Sequence, residues 1–207
     1  MRKNILILLL IGIFGVSFAC RNNNEKTLKA VKAKPVYSYE ETLKKEVAVI
    51  RRFLGESSKY NSDVAFFLDM KIGSGKNRFF IYDLKSNKIT NKGLVAHGSG
   101  SETGIPGKLT FSNVKNSNSS SLGKYAIGGS YKGSFGKAYK LHGLEKTNNN
   151  AFDRNIVLHK YFDVPFEEQP YPICNSLGCP MVNEKFFGTV EKLIDHSKKK
   201  IILVMYY

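Results

Sequence analysis

From Tyr60 to the C-terminus the apolar residues fall in short runs separated by Gly, Asn, Ser and Lys. Runs of that length, bounded by turn formers, suit strands better than amphipathic helices. Strands are therefore expected at 64–70, 78–84, 89–96, 124–128, 138–141, 155–159 and 201–207. The second and third are joined by Lys85-Ser86-Asn87-Lys88, a turn-prone stretch of hairpin length. The domain reads as mainly β. Its aromatic content of 12% and hydrophobic content of 42% supply a core and exclude a disordered or collagen-like chain.

Two segments break this pattern. Leu43, Val47, Ile50 and Leu54 follow helical spacing, with Glu40 and Glu41 before them and Gly55 after, which predicts a helix over 39–55. A second helix is predicted over 183–198, with Asn183 as its cap and Phe187, Val190 and Ile194 on one face. Between them, 98–123 is long and rich in Ser, Asn and Gly, which suits either a binding or lid element or a disordered loop.

The N-terminus carries Arg2 and Lys3, an apolar run over 5–18, and Ala19 before Cys20. That layout is an export signal, and the run is shorter than the roughly 18–20 residues a helix needs to cross a bilayer. Ser17-Phe18-Ala19-Cys20 resembles a bacterial lipobox, which implies lipid attachment at Cys20; ordinary cleavage beside a bystander cysteine is the alternative. The expected organisation is an export signal at 1–19, a flexible Asn- and Lys-rich tether at 20–38 and a folded domain at 39–207. Localisation in the cell envelope follows, as a periplasmic, membrane-anchored lipoprotein. The net charge of +15 suits anionic envelope polymers or lipid headgroups. Nucleic acid is disfavoured by the export signal and by the even spread of the lysines.

Three cysteines are too few for a disulfide scaffold, and no CxxC pair offers a zinc knuckle, so no metal is expected. The densest chemical cluster is Ser176-Leu177-Gly178-Cys179-Pro180, with His159 about twenty residues upstream at the end of an apolar strand. Gly178 permits close backbone approach, consecutive N–H groups can bind an oxyanion, and Pro180 fixes the exit of the loop. A nucleophilic Cys179 needs an imidazole such as His159, which would depress its pKa below ~8.5. A buried structural cysteine fits the same spacing. Cys174 is expected to be a free or bystander thiol. His97 and His142, at strand ends, suit either hydrogen-bonded structural roles or the site, and His196 suits the end of its helix.

These residues resemble the catalytic signature of the murein L,D-transpeptidase catalytic-domain family, of YkuD type. The likeness runs in order through residues 79–84, Val95-Ala96-His97-Gly98, Phe111-Ser112-Asn113, Ser120-Ser121-Leu122-Gly123, Leu141-His142-Gly143-Leu144-Glu145 and Arg154-Asn155-Ile156-Val157-Leu158-His159. It implies a β-sandwich of mixed sheets with an N-terminal helix and one helix after the catalytic loop. It also implies Cys179 as nucleophile, His159 as base and Gly178 as part of the oxyanion hole, with Ser176 as the motif serine. Relatives carry an arginine soon after the cysteine, which Pro180-Met181-Val182 does not supply. Arg154 is the nearest replacement for binding a substrate carboxylate, with His142 and His97 as further substrate-binding candidates. The implied partner is the peptidoglycan stem peptide, acted on by a monomer with no cofactor, and the resemblance also implies acylation of Cys179 by carbapenems. The expected reaction is cross-linking through a Cys179 thioester. The alternatives are an L,D-carboxypeptidase and a catalytically silent envelope-binding lipoprotein.

Overall fold

The computed structural model describes residues 37–207. The expected export signal, the expected lipid-attachment residue Cys20 and the expected tether as far as residue 36 lie outside the described residues. Helix α1 (Tyr39–Gly55) begins at Ser38, whose side chain accepts the Glu41 N–H, while Glu40 and Glu41 complement the positive end of the helix dipole. Leu43, Val47 and Ile50 form its buried stripe.

Nine strands follow among the described residues: β1 (Tyr60–Asp69), β2 (Phe79–Asp83), β3 (Lys88–Gly93), β4 (Val95–Ala96), β5 (Gly123–Gly133), β6 (Gly136–Gly143), β7 (Val157–Lys160), β8 (Met181–Val182) and β9 (Lys200–Tyr206). Helix α2 (Glu184–His196) precedes β9 and is capped by Asn183, whose side chain accepts the Lys185 N–H. The strands join in the order β3-β2-β1-β9-β5-β6-β7-β8-β4. β1 with β9 and β7 with β8 are parallel, and the remaining pairs are antiparallel.

The two-residue period of the strands sorts the apolar side chains into two layers. Phe66, Leu68, Phe79, Ile81, Tyr125, Ile127, Leu203 and Met205 enter the main core with Phe186, Phe187 and Val190 of α2. Their neighbours Ala65, Phe67, Phe80, Tyr82, Ile202 and Val204 face the stripe of α1. Covered on both faces, β9 is buried from Ile201 to Tyr206, which is why it reads as an unbroken apolar run.

The expected sandwich of mixed sheets takes the form of one mixed sheet curled around the main core. Val95 of β4 and Val182 of β8, at one end, pack in the same cluster as Phe79 of β2 near the other. Leu94 alone separates β3 from β4, so the chain steps from one end of the sheet to the other across a single buried residue. The predicted strand over 89–96 is thus two strands at opposite ends of the sheet. Among the described residues no helix is long and apolar enough to cross a membrane.

Candidate active site

Parallel pairing of β7 with β8 sets His159 opposite Met181, two residues after Cys179. Cys179 and His159, twenty positions apart in sequence, therefore line one cavity of about 400 Å³. Its wall is completed by Tyr131, Phe135, Ser176 and Leu177.

His159 is oriented by two contacts. Its Nδ1–H donates to the Lys160 carbonyl oxygen at 2.9 Å, which leaves Nε2 as the unprotonated nitrogen. The Phe135 ring stacks on the imidazole at 5.1 Å between centroids. Burial holds the His159 pKa below the ordinary imidazole value, opposed by the Lys160 carbonyl.

Cys179 Sγ accepts the Val157 N–H at 3.4 Å, and its S–H points to the Asn155 carbonyl oxygen at 3.7 Å. Burial pushes the thiol pKa up, against the Val157 N–H and the nearby charges of Arg154 and Lys140, which push it down. This corrects the depressed thiol expected from the sequence, because the buried site penalises the thiolate more than the opposing groups favour it. Both shifts favour the neutral forms, so the cavity holds a neutral thiol and a neutral imidazole at rest. A neutral thiol and a neutral imidazole that share a cavity are suited to general-base chemistry, in which the imidazole would take the thiol proton.

The loop before Cys179 is clamped from behind. Ser176 N–H donates to the His97 carbonyl at 2.8 Å, and Ser99 N–H donates to the Ser176 carbonyl at 2.8 Å. The buried Ser176 hydroxyl accepts the Gly178 N–H at 3.1 Å. Gly178 has a φ of +114°, and a Cβ there would meet Ser119 O at 2.9 Å and Ile156 Cδ1 at 3.0 Å. Both the left-handed backbone and the close approach require glycine. Since the Gly178 N–H is held by Ser176, the Cys179 N–H, which meets no acceptor among the described residues, is the loop donor left to face a developing oxyanion.

His97 stands behind this clamp and outside the Cys179 cavity. The fully buried Arg78 donates to His97 Nδ1 at 2.8 Å, and His97 Nε2–H donates to Glu102 at 2.7 Å. Arg78 also donates to the Val95 and Ile72 carbonyls, and burial lowers its pKa to about 9. His97 thus holds the backbone that holds Ser176.

Arg154 faces the Ser-rich segment. Its terminal nitrogens donate to the Ser112 and Ser119 carbonyls at 2.9 and 2.6 Å and to the Ser117 and Ser121 hydroxyls, both at 3.3 Å. A guanidinium with these partners organises a loop, and Arg154 is not among the residues that line the Cys179 cavity. Ser119, Ser120 and Ser121 are buried, and Ser120 Oγ accepts the Gly98 N–H at 3.0 Å. Residues 98–123 are therefore an ordered buttress behind the nucleophile loop and do not cover the cavity. The β5–β6 hairpin does line the cavity, with Tyr131 and, at its tip, Ser134 and Phe135.

His142 stacks on Phe152 at 5.0 Å and lines a separate hollow with Lys59, Lys198, Lys199 and Lys200. The structure does not bring it to Cys179. Cys174 is a free thiol packed beside Leu94 and Met181. Among the described residues no group of three or more His, Cys, Asp or Glu is placed to hold a metal.

Sequence reasoning missed the hairpin tip. Phe135 lies within Gly133-Ser134-Phe135-Gly136, and an aromatic between two glycines in a turn was the available signal. It also missed the backbone groups of Asn155 and Val157, which carry no side-chain signature.

A family model described as an L,D-transpeptidase catalytic domain matches residues 37–206. No curated protein matches the sequence. Among solved structures, the chain is similar to an L,D-transpeptidase from Xylanimonas cellulosilytica, with 12% identity and a TM-score of 0.36. That match covers 72% of this chain and 63% of the other. The avibactam carbamoyl form of the enzyme Ldtfm shares 10% identity at a TM-score of 0.41, covering 71% of this chain and 50% of that one. A mutant of the helical cell shape determining protein Pgp2 from Campylobacter jejuni shares 12% identity at a TM-score of 0.44, covering 74% and 52% respectively. The chain thus spans between half and two thirds of the length of these structures.

Proposed function

From the chain's membership of the L,D-transpeptidase catalytic-domain family, which it joins over residues 37–206, we propose that it cross-links peptidoglycan stem peptides through a thioester on Cys179. The observation that carries this reading is the placing of Cys179 and His159 in one cavity, with His159 Nδ1 committed to the Lys160 carbonyl. Nε2 is then the base. It takes the thiol proton while the sulfur attacks the carbonyl of the third stem residue. The Cys179 N–H steadies the tetrahedral oxyanion. His159 returns the proton to the departing amine of the terminal D-amino acid, and the thioester remains. An amine of a second stem, deprotonated by His159, attacks the thioester; the new amide forms and the sulfur leaves as thiol.

Transpeptidation is favoured over hydrolysis because the buried Val157 and Met181 present apolar surface to the cavity, which disfavours water near the thioester. Gly178 and Ser176 belong to the machinery as the shape and the staple of the nucleophile loop. The envelope location and the lipid anchor at Cys20 complete the proposal. Incubation of the protein with tetrapeptide-stem muropeptides, followed by mass analysis, tests it. Cross-linked dimers support it, tripeptide alone moves the assignment to an L,D-carboxypeptidase, and no product from either route moves it to a silent binding lipoprotein.

A further inference from the structure

A second hollow opens on the same face of the sheet as the Cys179 cavity. Side chains alternate along β6, so Ala138, Lys140 and His142 share one face; Ala138 lines the cavity, and His142 lines the hollow about 13 Å further along the strand. Lys140 stands between them, 5.0 Å from the Tyr131 ring of the cavity and 5.5 Å from the Phe152 ring that stacks on His142. The hollow, of about 390 Å³, is lined by Lys59, Lys198, Lys199 and Lys200 and by no Asp or Glu. The backbone fixes these lysines. Lys200 pairs with Tyr60 in the β1–β9 register, and the Asn61 side chain donates to Ser197 Oγ at 2.7 Å, tying the turn that carries Lys198 and Lys199 to the start of β1. Elsewhere Lys76, Lys85, Lys124, Lys137 and Lys160 each meet a carboxylate, whereas among the described residues the four lysines of the hollow meet none. Their field reaches the imidazole: burial lowers the His142 pKa, and Lys200 and Lys140 lower it further.

We infer that this hollow is a binding site for a soluble ligand that bears two or more phosphate groups. Like charges gathered without counter-charge repel one another, and a bound anion relieves that repulsion. The choice of anion follows from the side chains. Ammonium groups act as point charges and offer no planar fork to a carboxylate, so the site selects for charge density. A phosphate group supplies up to two charges and three strong acceptor oxygens, and several are needed to answer four lysines. The volume is that of a small-ligand pocket, and a concave hollow ringed by its charges suits a ligand that enters it better than a flat bilayer. The inference stands apart from the Cys179 chemistry, because no residue of the hollow lines the catalytic cavity.

The test is calorimetric titration of the full chain with sodium tripolyphosphate at low salt, where surface charges are least screened. Wild type and Cys179→Ala are expected to bind alike. Joint replacement Lys198→Gln, Lys199→Gln and Lys200→Gln is expected to weaken binding by about tenfold or more, the sum of three modest charge contacts. Joint replacement Lys88→Gln, Lys92→Gln and Lys115→Gln removes the same charge from exposed positions elsewhere and is expected to weaken it by less than about twofold. Equal weakening by the two sets would reduce the effect to overall charge and overturn the inference, as would absence of binding. Binding confined to phosphatidylglycerol vesicles would also overturn it and make the hollow a membrane contact. A second reading locates the ligand in the wild type: saturating tripolyphosphate should raise the His142 pKa measured by NMR, since the bound charge offsets Lys140 and Lys200. An unmoved His142 would place the ligand elsewhere and contradict the assignment.

Discussion

The backbone N–H of Val157 lies 3.4 Å from the sulfur of Cys179, so the strand that carries His159 also touches the Cys179 thiol. A single strand thus fixes His159 and, in the proposed chemistry, supplies one donor to the thiolate as it forms. The partnership of cysteine and histidine is set by the β7–β8 register, and a shift of one residue would turn His159 to the opposite face of the sheet.

Burial sets the pH response. His159 acts as a base only when neutral, and its pKa lies below the ordinary value, so the acid limb of kcat/KM is expected below about pH 6.5. Cys179 is held up by burial, so its alkylation by iodoacetamide is expected to go on rising above about pH 8.5. His159→Ala should slow that alkylation near neutral pH. Faster labelling of Cys174 than of Cys179 at pH 7 would reverse the assignment of the nucleophile.

Gly178→Ala places a Cβ against the Ser119 carbonyl on a backbone at φ +114°. The strained residue should lower stability by about 1–3 kcal/mol. Displacement of the neighbouring Cys179 N–H should cut kcat by about 100-fold, the order seen on removing an oxyanion donor. Urea unfolding and steady-state kinetics read the two effects separately, and unchanged kcat would show that the loop backbone takes no part in the chemistry.

Arg154→Met removes four contacts to Ser112, Ser117, Ser119 and Ser121 and leaves two carbonyls without their charged donor. A loss of about 2–3 kcal/mol is expected, with faster amide exchange across 112–121. A raised KM at unchanged stability would instead return Arg154 to the role of carboxylate receptor.

Lipidation is expected at Cys20, where two acyl chains would anchor the protein stably and one would not. Radiolabelled fatty acid should enter the wild type and be absent from Cys20→Ala. Equal labelling of both would leave ordinary cleavage as the reading of the first twenty residues.

Much of this molecule is legible in the sequence because its signals are local. α1 shows in the spacing of Leu43, Val47 and Ile50, α2 in its Asn183 cap, and β9 in a run whose two faces are both covered. β4 was not separable from β3 and β8 was not read as a strand, since two-residue strands exist only through the partners that the fold brings to them. Arg154 is a related case: nothing local says that its donors reach back more than thirty residues to the Ser-rich segment. The Ser, Asn and Gly of that segment suggested mobility, yet its buried serines tie its two ends together, Ser120 Oγ accepting the Gly98 N–H and Ser101 Oγ accepting the Ser120 N–H. In the site, the Cys179 and His159 pair was visible as residue types, while the direction of the thiol pKa depends on burial, which spacing does not encode.

The central claim is a thioester on Cys179, and intact-protein mass spectrometry during turnover tests it most directly. With a tetrapeptide-stem muropeptide or a carbapenem, a covalent adduct is expected that peptide mapping places on Cys179. It should be absent from Cys179→Ala and retarded in His159→Ala. An adduct on Cys174, or no adduct together with no cross-linked or trimmed product from the folded wild type, would contradict it.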